Sequence, residues 1–300
     1  MKYAVIGMGA VGGYYGSRLA LAGHDVHFLL RSDYEHVRTH GFEVESVLGD
    51  YRLDHPNVFL SSSQMPVCDV VFVAMKTTSN HLLPELLRPI LGSDTLVVLL
   101  QNGIGVEAEL QRQLPNLQIA AGIAFINCVK SGPGRLLHRG YGHVTLADYS
   151  CRQPGLLSCV AADFSASGVR AEVADYLHAR WKKNILNMAT NGMTVVHNCL
   201  CDALISNPDI CGEVRALMLE GIRAAQACGA SGITDDLADK MLATTATTHF
   251  ATSMKYDYDH HLPMEVEYIY SRPIQEAESH GLSLPHLRRL EQQLLIMNNH

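Results

Sequence analysis

The chain has 300 residues, 47% of them apolar and 18% charged, a globular balance that excludes disorder as the main state and points to about two domains. Lys and Arg number 23 against 30 Asp and Glu, a formal net charge of −7, which argues against a chain-wide surface for nucleic-acid phosphates. No apolar run approaches the roughly 18 residues that a membrane span needs.

Residues 2–6 form a short apolar, β-branched run that ends at Gly7, the pattern of a central parallel strand. Four apolar residues before a glycine are too few for the core of a signal peptide. Gly7-Met8-Gly9-Ala10-Val11-Gly12 follows, then helix-compatible residues from Gly13 to Ala22, with Gly23 as a C-cap. A Gly-x-Gly-x-x-Gly loop that leaves a strand and opens a helix is the context a dinucleotide site requires. Gly7 permits a tight turn, Gly9 lets a pyrophosphate approach the backbone, and Gly12 lets helix and strand pack closely. The N–H groups at the helix start, around Met8, Ala10 and Val11, face the phosphates.

Asp25 to Leu30 reads as a second strand, followed by Arg31. NAD enzymes usually carry Asp or Glu there for the ribose 2′-hydroxyl. A guanidinium instead suits a 2′-phosphate. Lys76 ends a further strand at the same carboxyl edge, so two cations favour NADP(H), with nearby Asp33 as the dissenting carboxylate. Strands are expected at 69–74 and 95–100 with a helix near 80–90, and extra strands over 118–148 finish the sheet. This order defines an α/β Rossmann-type dinucleotide-binding domain.

From about 175 helical periodicity takes over, which predicts an all-α C-terminal domain. The boundary falls near 168–174, giving 1–170 for NADP and 171–300 for catalysis and substrate. Asn207-Pro208 starts a helix whose apolar stripe runs through Ile210, Val214, Leu217, Met218, Ile222 and Ala225 to Gly229. Another helix is expected from Thr234. Lys183, Asn187 and Asn191 stand at i, i+4 and i+8, on one helical face. Buried amides need partners, and a carboxylate or carbonyl ligand would supply them. A partly desolvated lysine has its pKa drawn toward the working pH, as a general acid requires. The spacing selects Lys183 over Lys182.

The eight cysteines contain no Cys-x-x-Cys pair, and His260-His261 has no ligand pattern beside it. No metal site is expected, and buried thiols fit a reducing cytoplasm.

These segments resemble the ketopantoate reductase (2-dehydropantoate 2-reductase) family over nearly the whole length. The resemblance rests on the N-terminal glycine loop, on Gln101-Asn102-Gly103, and on the Lys183, Asn187 and Asn191 spacing. It rests also on Ser253-Met254 with Glu265 twelve residues after the serine, and on Gly281…Pro285. It implies an NADP-dependent oxidoreductase that reduces a 2-oxo acid, 2-dehydropantoate, to pantoate in pantothenate and coenzyme A synthesis. Lys183 would give the proton, and Asn187, Asn191 and Ser253 would hold the substrate. Asn102 would lie between nicotinamide and substrate in a cleft between the domains, and Glu265 would orient the ribose or the substrate hydroxyl. Arg31 and Lys76 would take the 2′-phosphate.

Three places depart from the family pattern: Gly192 where proline is common, Tyr270 and Ser271 where Asn-Gly often stands, and Cys201 where some members have asparagine. Gly192 is expected to have little effect, since Asn-Gly and Asn-Pro can both end or bend a helix. Tyr270, Ser271 and Cys201 bear on the identity of the 2-oxo acid, so a reductase of another 2-oxo acid is the alternative, and a non-catalytic NADP sensor is a third reading. No nucleic-acid or membrane partner is expected, and pairing of two copies through apolar helical faces stays open.

Overall fold

The computed structural model describes residues 1–298. Backbone contacts divide them into two compact units, residues 1–101 with 106–176, and residues 102–105 with 177 onward. Each unit has its own apolar core.

The first unit is a ten-stranded sheet with order β4-β3-β9-β8-β7-β6-β1-β2-β5, and β10 beside β9. The strands are β1 (Lys2–Ile6), β2 (Asp25–Leu29), β3 (Phe42–Ser46), β4 (Tyr51–Leu53), β5 (Asn57–Phe59), β6 (Val70–Val73), β7 (Leu96–Leu99), β8 (Gln118–Gly132), β9 (Arg135–Asp148) and β10 (Ala171–Ala174), and the helices of this unit include α1 (Ala10–Leu21), α2 (Tyr34–His40), α4 (Val106–Gln113) and α5 (Leu156–Ala166). Strands β8, β7, β6, β1, β2 and β5 run parallel. β6 and β7 are buried at every position, as a strand covered on both faces must be. The chain goes one way from β1 through β2 to β5 and the other way through β6 and β7. β1 is therefore the switch point beside which open α/β sheets bind ligands. Ile6 is level with both Leu29 and Val73, so the loops after β1, β2 and β6 leave the sheet at one edge.

The expected strands at 118–148 are the long antiparallel hairpin β8–β9, whose register shifts at three places. The expected helix at 80–90 is instead a 3₁₀ turn over 77–82, a short α3 (Leu83–Leu87) and another 3₁₀ turn over 88–90. Pro84 and Pro89 lack the N–H groups that a continuous helix would need. Residues 171–174 pair with β9, so the first unit runs past the expected division at 170 to Tyr176.

The second unit is helical. It contains α6 (Tyr176–Val196, from Leu177 onward), α7 (Cys201–Ser206), α8 (Pro208–Ala227), α9 (Asp236–Ala246), α10 (Ser253–Asp259), a π turn (Glu267–Ser271), α11 (Arg272–Ser279) and α12 (Pro285–Met297). The Asn207 side chain accepts from the N–H groups of Asp209 and Ile210 at the start of α8, as the cap reading required. Val214, Leu217, Met218, Ile222 and Ala225 are fully buried. The helix expected from Thr234 starts at Asp236, because the Thr234 hydroxyl bonds the Asp236 carboxylate instead of a backbone N–H. No helix of the described residues is long and apolar enough to cross a membrane.

Candidate active site

The candidate cofactor site of the first unit is shaped by backbone. Gly7 has φ +96°, and a Cβ there would stand 2.3 Å from the Met75 nitrogen; at Gly12 it would stand 2.2 Å from the Gly7 carbonyl oxygen. Real Cβ atoms do not come so close, so the loop after β1 and the first turn of α1 (Ala10–Leu21) fit together only with glycine at both places. A Cβ on Gly9, in contrast, would meet nothing within 4 Å. The space above Gly9 is open, which fits an approaching pyrophosphate. Gly9 is the N-cap, no side chain caps the helix, and its first turn has no acidic residue. The N–H groups that follow Met8 and Gly9 thus keep their positive end toward that space.

Arg31 and Lys76 follow β2 and β6, and both are exposed. Asp33 is buried. Lys130 Nζ donates to its carboxylate at 2.7 Å and the Gly134 N–H donates at 3.1 Å. Burial alone would raise its pKa, but these hydrogen bonds outweigh burial and hold the carboxyl below its ordinary value. The dissenting carboxylate is thus committed to the β8–β9 hairpin. Sequence reading missed a further organiser, Gln101. Its amide donates to the Met75 carbonyl at 2.8 Å and to Asn80 at 2.6 Å, pinning the loop against which Gly7 packs. Its place beside Asn102 was the available signal.

The candidate residues of the second unit are side chains. Lys183, Asn187 and Asn191 lie along one face of α6. Asn187 and Asn191 are 6% and 4% exposed, and their side-chain NH₂ groups meet no partner among the described residues. Two unpaired buried donors are costly unless a ligand accepts from them. Lys183 is half-buried and Lys182 is exposed. Desolvation brings the Lys183 ammonium down from the ordinary lysine value to about 8.

Glu265 is 5% exposed and sits just ahead of the π turn. Asn102, expected with the cofactor domain, groups by its contacts with the helical unit. Gly103 has φ +96° and lies so close to Tyr268 that a Cβ would stand 2.5 Å from its carbonyl oxygen. The Ile104 N–H donates to that same oxygen at 2.9 Å. Ser253 is exposed at the start of α10, whereas its neighbour Thr252 is buried and caps the helix. The Thr252 and Thr194 hydroxyls are 2.8 Å apart, and Thr194 donates to the Asn191 carbonyl at 2.9 Å. The start of α10 is thereby tied to α6 at Asn191.

Two of the departures from the family pattern touch each other: the Gly192 N–H donates to the Tyr270 hydroxyl at 2.8 Å. Cys201 is buried, and the remaining departure, Ser271, closes the π turn. Among the described residues, Cys228, Glu276 and His280 bring ligand-type atoms within 4.8 Å of one another. Glu276, on α11 (Arg272–Ser279), and His280, its C-cap, lie 3.6 Å apart and both are exposed.

A dinucleotide-binding sheet followed by a helical unit with a desolvated lysine and aligned amides defines an NAD(P)-dependent oxidoreductase. The chain belongs to the ketopantoate reductase family: residues 3–150 match Ketopantoate reductase PanE/ApbA and residues 175–297 match its C-terminal domain. It is 41% identical over 304 residues to a 2-dehydropantoate 2-reductase of Nostoc sp., covering 99% of this chain and 95% of that one. The crystal structure of 2-dehydropantoate 2-reductase from Geobacter metallireducens matches with a TM-score of 0.95 and 32% identity, covering 98% and 99% of the two chains. A D-mandelate dehydrogenase with NADH and anilino(oxo)acetate matches with a TM-score of 0.88, covering 100% and 99%; at 20% identity that likeness concerns the fold.

Proposed function

We propose that the protein is an NADPH-dependent reductase that converts 2-dehydropantoate to pantoate. The observation that carries this reading is the α6 face, where a lysine with a pKa near 8 stands in line with two buried, unpartnered amides. NADPH, when bound, supplies the hydride; the protein supplies position and electrostatics. Gly7, Gly9 and Gly12 shape the pyrophosphate site, and Arg31 and Lys76 hold the 2′-phosphate. Lys183 gives a proton from Nζ to the ketone oxygen as negative charge develops there. A pKa near 8 keeps Lys183 mostly charged at neutral pH and still able to release its proton. The NH₂ groups of Asn187 and Asn191 donate to the carboxylate and hydroxyl of the substrate, with Ser253 beside them. Asn102 and Glu265 orient nicotinamide, ribose or substrate hydroxyl.

A different 2-oxo acid is the second reading, favoured by Cys201, Tyr270 and Ser271. A nucleotide sensor would have no use for the Lys183 face. The eight cysteines, none in a disulfide, support residence in the cytoplasm. The test mixes the protein with NADPH and ketopantoate, then with other 2-oxo acids, and follows the absorbance of the reduced nicotinamide. Turnover of ketopantoate above the others is expected. Tight NADPH binding without turnover of any 2-oxo acid would overturn both enzyme readings.

A further inference from the structure

The π turn Glu267–Ser271 leads into Pro273, which has no N–H to give. Residue 273 would serve the Ile269 carbonyl in α register and the Tyr268 carbonyl in π register, so these two carbonyls are left for other donors. The Tyr268 carbonyl takes the Ile104 N–H at 2.9 Å, and the Ile269 carbonyl takes the Asn184 side-chain amide at 3.1 Å. The next residue is Tyr270, whose side chain is fully buried. Its hydroxyl accepts from the Gly192 N–H at 2.8 Å and donates to the Asn187 carbonyl at 3.4 Å. Three consecutive residues thus hold the loop that carries Asn102 and three points on the helix that carries Lys183: Asn184, Asn187 and Gly192. π turns are frequent at functional sites for this kind of reason.

The grip of Tyr270 on α6 is tight. A Cβ on residue 192 would stand 2.7 Å from the tyrosine oxygen, so glycine at 192 and tyrosine at 270 fit as a pair. The two bonds of the hydroxyl reach residues 187 and 192, with Asn191 in the turn between them. Burial raises the phenol well above its ordinary pKa, so it keeps the proton it donates.

We propose that Tyr270 is a positioning residue: its hydroxyl locks the turn of α6 that carries Asn187 and Asn191, and so sets where their two amides meet the carboxylate and hydroxyl of a 2-oxo acid. This rests on the function proposed above. Tyr270 touches no substrate in this scheme; it acts through the helix backbone.

The test is Tyr270→Phe, which removes one oxygen and keeps the ring. The expected result is an increase of about tenfold in KM for the 2-oxo acid, the scale of one hydrogen bond. KM for NADPH should stay within about twofold. In an Asn187→Ala/Asn191→Ala background the same substitution should change KM by less than about twofold, since the groups it positions are gone. Gly192→Ala is a second route to the same effect, because its methyl displaces the tyrosine oxygen; Phe at 270 should lessen its effect. An active wild type whose Tyr270→Phe variant keeps its KM, or loses by the same factor in both backgrounds, would overturn the positioning role alone. A folded wild type that binds NADPH and turns over no 2-oxo acid would overturn the proposed function and this inference with it.

Discussion

The two units present their candidate residues in different material. The first uses backbone: two glycines that no other residue can replace without collision, one glycine left open, and a helix start with bare N–H groups. The second uses side chains: a desolvated lysine, two buried amides, and a π turn that grips the helix beneath them. A pyrophosphate is common to many enzymes and is recognised by shape and dipole. A particular 2-oxo acid has to be recognised by placed donors, and its proton must come from a tuned group.

This division predicts separable defects. Lys183→Ala should lower turnover by about 10²–10⁴-fold and leave the Kd for NADPH within about twofold, as read by titration of nucleotide fluorescence. Loss of binding in step with turnover would contradict the division. Gly12→Val should act in the opposite sense. Its side chain meets the Gly7 carbonyl at the 2.2 Å clearance, and nucleotide affinity should fall by at least about 100-fold.

Arg31→Ala probes the same unit. The Kd for NADPH should rise by about 10- to 100-fold, the scale of a charge-assisted hydrogen bond, and the Kd for NADH by less than about twofold. Equal weakening of both nucleotides would remove Arg31 from the 2′-phosphate. Because Arg31 is exposed, the preference should also shrink as salt rises.

A last effect is on stability. Lys183 has a folded pKa of about 8 against 10.5 in the open chain. Below pH 8 both states carry the proton and the cost of burying the charge is complete. Between 8 and 10.5 the unfolded state keeps a proton that the folded state has lost, so stability rises with pH. Relative to Lys183→Met, the wild type should gain at most about 3 kcal/mol over that window, measured by urea melts at both ends. A gap that stays constant would contradict the desolvation of Lys183.

The contrast between the units also explains what the sequence could reveal. Gly7, Gly9 and Gly12 are legible because the geometry leaves one residue type at two of the three positions and the loop is contiguous. Lys183, Asn187 and Asn191 are legible because one helix aligns them. Asp33 is illegible: its partner Lys130 lies 97 residues away, so a carboxylate that seemed to speak for NAD is occupied elsewhere. The same holds for the Gly192–Tyr270 bond, whose partners are 78 residues apart. Each residue departs singly from the family pattern, and only the fold shows that they meet. Asn102 reads as part of the cofactor domain because it follows β7. The packing of Gly103 on Tyr268 moves it to the other unit.

The central claim, that Lys183 is the general acid, is tested most directly by the rate of single-turnover NADPH oxidation by ketopantoate as a function of pH. The rate should fall as pH rises through a pKa near 8, because the charged form donates the proton, and Lys183→Ala should leave a slow rate without that step. A rate that stays level well beyond pH 8, or that falls there in both proteins alike, would contradict the assignment.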